Sequence, residues 1–211
     1  MIRVAISVEG QSEDEFCKQI LVPYFQERGI QLTSIIVETK REKCGVKHKG
    51  GCINLDRVKS EVLKLLPSFD YVTTFYDLYG FGKVDDISAD ELEDKMAELF
   101  KSRKFIPYIQ KYEFETLLFS EPLYYGDYFD DPQATLDIEK IISSCGGNIE
   151  EINNSKETAP SKRIMKFFDD YDEAFDKVFH GYMIIEEIGL QKVIEQSPRF
   201  SKWIEKIESL R

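Results

Sequence analysis

Four short apolar runs, each followed or preceded by a stretch of helical periodicity, constrain this chain more than any other feature. Ile2 to Val8 is β-rich and apolar and ends abruptly at Glu9-Gly10. Leu32 to Glu38, Asp70 to Tyr76 and Phe105 to Ile109 read as three further strands, the last placed near an edge by Pro107. A helix opens between the first two, with Ser12 as N-cap and Glu15 as its capping-box partner. Phe16, Ile20, Leu21, Tyr24 and Phe25 form its apolar stripe, and Gly29 stops it. Leu55 to Leu66, closed by Pro67, and Ala89 to Lys101 supply the next two helices. Strand and helix in strict alternation predict a parallel sheet with right-handed crossovers. In such sheets ligands bind beyond the carboxyl ends of the strands. Glu9 and Asp77 both stand at such ends.

With 211 residues, 42% hydrophobic and 32% charged, the chain can build a sizeable core. We expect one domain, residues 1–111 forming an α/β core and residues 112–211 a mainly helical part of the same domain. In that second half, helices are expected over Leu136 to Ser144, Ser161 to Asp170, Gly189 to Glu195 and Phe200 to Leu210, with Trp203 in the core. No apolar run reaches the roughly 18–20 residues of a membrane span, and the first residues read directly as a strand rather than a signal peptide. The four cysteines are too sparse for a disulfide scaffold. A cytoplasmic protein with reduced thiols is the expectation. A homodimer is one assembly compatible with the sequence.

The net charge of −11 argues against nonspecific coating of nucleic acid. Charge is nevertheless segregated. Lys40, Arg41, Lys43, Lys47 and Lys49 stand against Glu42 alone, whereas Glu113 to Asp131 holds six acids and no Lys or Arg. That pattern suits a metal-holding acidic region beside a phosphate-holding basic one, and it suits solvated surface equally well.

Glu9-Gly10 followed by Ser12-Glu13 is the sharpest local pattern. An acid at a strand end, a glycine and a second acid in the next helical turn can present oxygens to Mg²⁺ or Mn²⁺; alternatively, Glu13 and Glu15 only complement the helix dipole. Asp77 ends a hydrophobic strand, as a metal ligand on rigid backbone or as an Asx-turn. Glu113 and Glu115 lie two apart among large apolar residues, facing one way if extended and diverging if helical. Either a functional role or a buried ion pair would offset the cost of an acid there. Pro160-Ser161-Lys162-Arg163 resembles a helix start at which Lys162 and Arg163 would meet phosphate, or simply a solvated pair. Cys44, His48 and Cys52 invite zinc, but no fourth ligand lies nearby. No Walker-type loop or dinucleotide fingerprint is present, and two histidines supply a triad poorly.

The segments VEGQSEDEF (Val8 to Phe16), KGG (Lys49 to Gly51), FYDLYGF (Phe75 to Phe81), IPYIQKYEFETLLF (Ile106 to Phe119), APSKR (Ala159 to Arg163) and SPRFSKWIEKI (Ser197 to Ile207) together resemble the bacterial domain-of-unknown-function 4276 family across nearly the whole chain. That family is similar to the Toprim fold of topoisomerases, primases and overcoming-lysogenization-defect nucleases, a Rossmannoid, mostly parallel sheet flanked by helices. The resemblance implies a Mg²⁺- or Mn²⁺-dependent nuclease, a nearby ABC-type ATPase as partner and a setting of phage defence. It also implies metal ligation by Glu9 and Asp77, with Glu13, Glu113 and Glu115 assisting and Lys49, Lys162 and Arg163 on phosphate. A Toprim site carries Asp-x-Asp at its second element, and here Tyr79 stands in place of the second Asp. Two other readings use the same residues: a non-catalytic regulatory subunit of the ATPase, and a phosphohydrolase of small substrates.

Overall fold

The computed structural model describes residues 1–37, 54–81, 87–100, 102–153 and 158–210. Lys49, together with Cys44, His48 and Cys52, lies outside the described residues. The chain divides into two compact units, Met1–Gln110 with Glu208–Arg211, and Lys111–Ile207.

The first unit is α/β. Strand β1 (Ile2–Val8) is followed by helix α1 (Gln11–Phe16), a π-helical turn (Cys17–Leu21) and α2 (Val22–Glu27). Pro23 falls just after the π turn, where its missing N–H and its ring disfavour regular i to i−4 bonding, a common origin of such bulges. The helix starts one residue before the expected cap: Gly10 is the N-cap and no side chain caps it. Gly29, at φ 77°, ends α2 as expected. Strand β2 (Ile30–Ile36) begins two residues earlier than predicted. Helix α3 (Leu55–Leu65) is capped by Asn54, whose side chain accepts from the Arg57 amide, and it buries Val58 and Val62. Strand β3 (Tyr71–Asp77) runs into a 3₁₀ turn (Leu78–Phe81), and α4 (Ala89–Phe100) follows.

The predicted fourth strand is two short ones, β4 (Phe105–Ile106) and β5 (Ile109–Gln110), both paired with β3. Pro107 cannot donate to a ladder, and threonines of β3 bridge the gap. Thr73 Oγ1 donates to the Ile106 carbonyl at 2.6 Å, and Thr74 Oγ1 accepts from the Tyr108 amide at 3.0 Å. The sheet has five strands in the order β2-β1-β3-β4, with β5 also on β3, and every pairing is parallel. Val4, Ala5, Ile6, Val8, Val72, Phe75 and Tyr76 are fully buried. Both central strands are therefore largely buried, as sheets covered on two faces require. Glu208 joins this unit, accepting from Tyr24 Oη and Arg28 Nε.

The second unit is helical. A 3₁₀ segment (Phe114–Ser120), buried along its whole length, precedes α5 (Pro122–Tyr128), α6 (Pro132–Ser144), a 3₁₀ turn (Ile149–Glu151), α7 (Pro160–Asp170), α8 (Lys177–Ile188), α9 (Leu190–Gln196) and α10 (Pro198–Glu208). Trp203 is 2% exposed, in the core as expected. Among the described residues, no helix is long and apolar enough to cross a membrane.

Candidate functional site

Val8 and Phe75 are partners in the parallel register of β1 and β3. Glu9 follows the first strand and Asp77 ends the second, so two acids leave adjacent central strands at one edge of the sheet. Position follows from sequence here: each apolar run stops at an acid, and the shared register carries both stops to the same edge.

Glu9 is half-buried, and its Oε2 is enclosed without a hydrogen-bond partner among the described residues. Its carboxyl is pushed from the usual 4.5 up to about 8. Burial is the main cause, and the nearby Glu13 charge adds to it; backbone hydrogen bonding from Asp77 and the Arg57 charge pull the other way. Glu13, in the first turn of α1, is itself buried. Two glycines let the carboxyls into this space. A Cβ on Gly80 would fall 2.2 Å from Glu9 Oε2, and one on Gly10 would fall 3.1 Å from Glu13 Oε2. Behind them Tyr76 Oη and Ser7 Oγ share a buried hydrogen bond of 2.6 Å, and burial keeps the phenol neutral.

Neighbouring groups are committed elsewhere. Asp14 accepts from Ser34 Oγ and Lys18 Nζ, both at 2.6 Å, tying α1 to β2. Cys17 is fully buried and its thiol is held well above its ordinary range, chiefly by desolvation and then by the charges of Glu13 and Asp14. It is a packed thiol, not a nucleophile.

The other expected acids belong to the second unit and have partners there. Glu113 is extended, and its Oε2 accepts from the Ser161 amide at 2.8 Å. The anion at the start of α7 is thus the protein's own carboxylate, at the helix end where phosphate was expected. Glu115 sits in the 3₁₀ segment, 4% exposed, with Lys177 Nζ at 2.7 Å. Burial raises its carboxyl, and the Lys177 charge counters that. The two acids therefore serve different partners, and buried Glu115 forms an ion pair with half-exposed Lys177. Lys162 is exposed in the first turn of α7, and Arg163 Nε donates to the Thr158 carbonyl at 2.8 Å. Tyr79, in the 3₁₀ turn after β3, is half-buried.

Neither Gly80 nor Arg57 was singled out from the sequence. The glycine three residues beyond an acid-terminated strand was the available signal for the first. The second is set by the packing of α3, which no spacing reports.

Among the described residues, no three of His, Cys, Asp and Glu form a metal-holding cluster. The fit to a divalent cation therefore rests on Glu9. What it offers is an enclosed oxygen that accepts nothing, with buried Glu13 nearby and Gly80 beneath it. Mg²⁺ commonly takes one or two carboxylates and completes its octahedron with water and phosphate oxygens. A bound cation would stabilise the Glu9 carboxylate and release its proton.

The chain matches no curated protein and no solved structure. The family model Domain of unknown function (DUF4276) matches residues 8–208, and the chain belongs to that family.

Proposed function

We propose that this protein is a Mg²⁺- or Mn²⁺-dependent phosphodiesterase acting on nucleic acid, with the Toprim-like layout that the motif order resembles. The observation that carries this reading is the enclosed, unpartnered Oε2 of Glu9 beside Glu13, at the sheet edge where Asp77 also emerges. A cation bound there would supply charge neutralisation on phosphate oxygens and a more acidic water. Glu9 and Asp77 would hold it, and Glu13 would keep the local potential negative. Arg57, whose charge reaches Glu9, is the nearby cation suited to the phosphate backbone. The acidic chain as a whole gives no broad attraction to polyanions, so substrate binding would rest on these local contacts and on an ABC-type ATPase partner. The setting we propose is cytoplasmic and defensive.

The test is calorimetric titration with Mn²⁺, together with cleavage of single- and double-stranded DNA and RNA. Glu9→Gln and Asp77→Asn should lose Mn²⁺ binding and cleavage while melting cooperatively. Full activity in either variant would overturn the assignment.

A second reading, a non-catalytic subunit that docks on the ATPase, is favoured by a specific observation. Two of the expected acids, Glu113 and Glu115, already serve an amide and a lysine, and Tyr79 replaces a carboxylate. Stimulated ATP hydrolysis by the partner, unchanged in Glu9→Gln and without cleavage by wild type, would select it.

A further inference from the structure

Gln110 ends β5 as the register partner of Asp77. Partners in a parallel pair project from the same face of the sheet, so the amide and the acid share a face at the carboxyl edge. Gln110 is 1% exposed. Its Oε1 accepts from Tyr108 Oη at 2.8 Å. That phenol is fixed: its ring stacks on Phe75 with centroids 5.7 Å apart and planes 5° from parallel. The Tyr108 backbone is also held at both ends by Thr74 Oγ1, which accepts from its amide at 3.0 Å and donates to its carbonyl at 2.9 Å. With the phenol donating to Oε1, the opposite end of the amide is left to find its own partner. The amine end, Nε2, is buried with no hydrogen-bond partner among the described residues.

A buried donor that makes no bond has forfeited its hydration for nothing. Here the scaffold spends two threonine bonds, a stacked ring and a phenol on holding that donor in place, beside the edge where the carboxylates emerge. We propose that Gln110 is a substrate-contacting residue whose Nε2 donates to a phosphate oxygen bound at this edge. This rests on the phosphodiesterase reading and names a residue which that reading lacked. A neutral amide suits the task. It can bond an oxyanion whose charge a divalent cation already offsets, without competing as a cation for Glu9 and Asp77.

The experiment follows the side-chain amide protons of Gln110 by ¹H–¹⁵N NMR, assigned by their disappearance in Gln110→Met. Wild type is titrated with inorganic phosphate in the presence of Mg²⁺, and Mn²⁺ affinity is measured separately by calorimetry. The Gln110 resonances should shift and saturate. Gln110→Met and Gln110→Glu should each weaken phosphate binding about tenfold, the effect of one lost charge-assisted bond, with Mn²⁺ affinity within about twofold of wild type in Gln110→Met, which adds no carboxylate. Resonances that stay still under saturating phosphate, or phosphate affinity unchanged in both variants, would overturn the inference. If Mn²⁺ binds through Glu9 and Gln110 does not respond, only this inference fails. If Gln110 responds to phosphate but no carboxylate-dependent Mn²⁺ binding is seen, the metal reading fails and the role of Gln110 stands.

Discussion

The Glu9 carboxylate lies directly over Gly80, with Oε2 2.2 Å and Oε1 2.7 Å from the point a Cβ would occupy. Contacts that short do not occur, so any side chain at position 80 must displace the carboxylate. Gly80 lies outside the positive-φ residues, so backbone strain adds nothing. The displaced group is the far end of a flexible side chain, and the folding cost should be small. Gly80→Ala should therefore lower the melting temperature by no more than a few degrees, corresponding to about 1 kcal/mol or less. Mn²⁺ affinity should fall about tenfold or more, read by calorimetric titration. Unchanged affinity would mean that Glu9 is not a ligand.

The raised carboxyl of Glu9 gives the metal-free protein a signed pH dependence. In the unfolded chain this group ionises near 4.5, whereas in the fold it holds its proton to about 8. Between those values the folded state binds more protons, so stability falls as pH rises, by up to about 1.4 kcal/mol per pH unit from this group, and levels off above 8. Asp70, Glu91 and Asp137, whose carboxyls hydrogen bonds hold below their ordinary range, lose stability in the opposite direction and at lower pH. Urea denaturation in chelator at pH 5.5, 7.0 and 8.5 should show the decline in wild type. Glu9→Gln should decline less steeply across that window, keeping only what the raised Glu115 carboxyl contributes, and so should Gly80→Ala, which frees the carboxylate toward solvent. A wild-type profile as flat as Glu9→Gln would show that burial does not raise this carboxyl.

Much of the first unit was legible because its strands are apolar runs with hard stops. Val8 to Glu9 and Tyr76 to Asp77 are abrupt changes of polarity, and the fold uses both. Pro107 also announced an edge, though not that Thr73 and Thr74 would replace the missing ladder bonds. The second unit was read less completely. Helix α8 was missed because Gly181 interrupts its pattern; the glycine is there because the Phe114 ring would lie 2.9 Å from a Cβ. Asp176, which accepts from the Val178 and Phe179 amides, was the N-cap signal that could have located it. The contact of Glu9 with Gly80 and the separate partners of Glu113 and Glu115 were not legible. Both depend on which segments meet in three dimensions, which spacing along the chain does not encode.

The Glu115–Lys177 pair makes an asymmetric prediction. Glu115 is 4% exposed, while the Lys177 side chain is about half exposed. Removing the lysine leaves a buried acid without its counter-charge, whereas replacing the acid with an apolar group removes the desolvation cost as well. Lys177→Met should destabilise by about 1–3 kcal/mol at pH 7, less at pH 5, where Glu115 takes a proton more readily. Glu115→Gln or Glu115→Met with Lys177→Met should recover part of the loss. Thermal melts of the single and double variants at both pH values test this. Additive losses in the double variant would show that the pair carries no coupling.

Thr74 is the residue that joins the fold to the candidate site on the β5 side. Its hydroxyl is fully buried, accepts from the Tyr108 amide and donates to the Tyr108 carbonyl, so it stands in for the ladder bonds that Pro107 forbids. Val matches its shape but removes both of these bonds from a buried stretch of backbone. Thr74→Val should therefore cost about 2–4 kcal/mol, the sum of two such losses, whereas Thr74→Ser should cost about 1 kcal/mol, from the lost methyl. The site should respond as well. With Tyr108 loosened, the phenol no longer fixes Gln110, and phosphate binding should weaken in Thr74→Val at temperatures well below its melting transition. Mn²⁺ affinity should fall less than phosphate affinity in the same variant, because Glu9 is seated by Gly80 and only Asp77 pairs with β5. Melting curves and paired titrations with phosphate and Mn²⁺ check both statements. A Thr74→Val protein as stable as wild type would show that the Tyr108 backbone finds other partners.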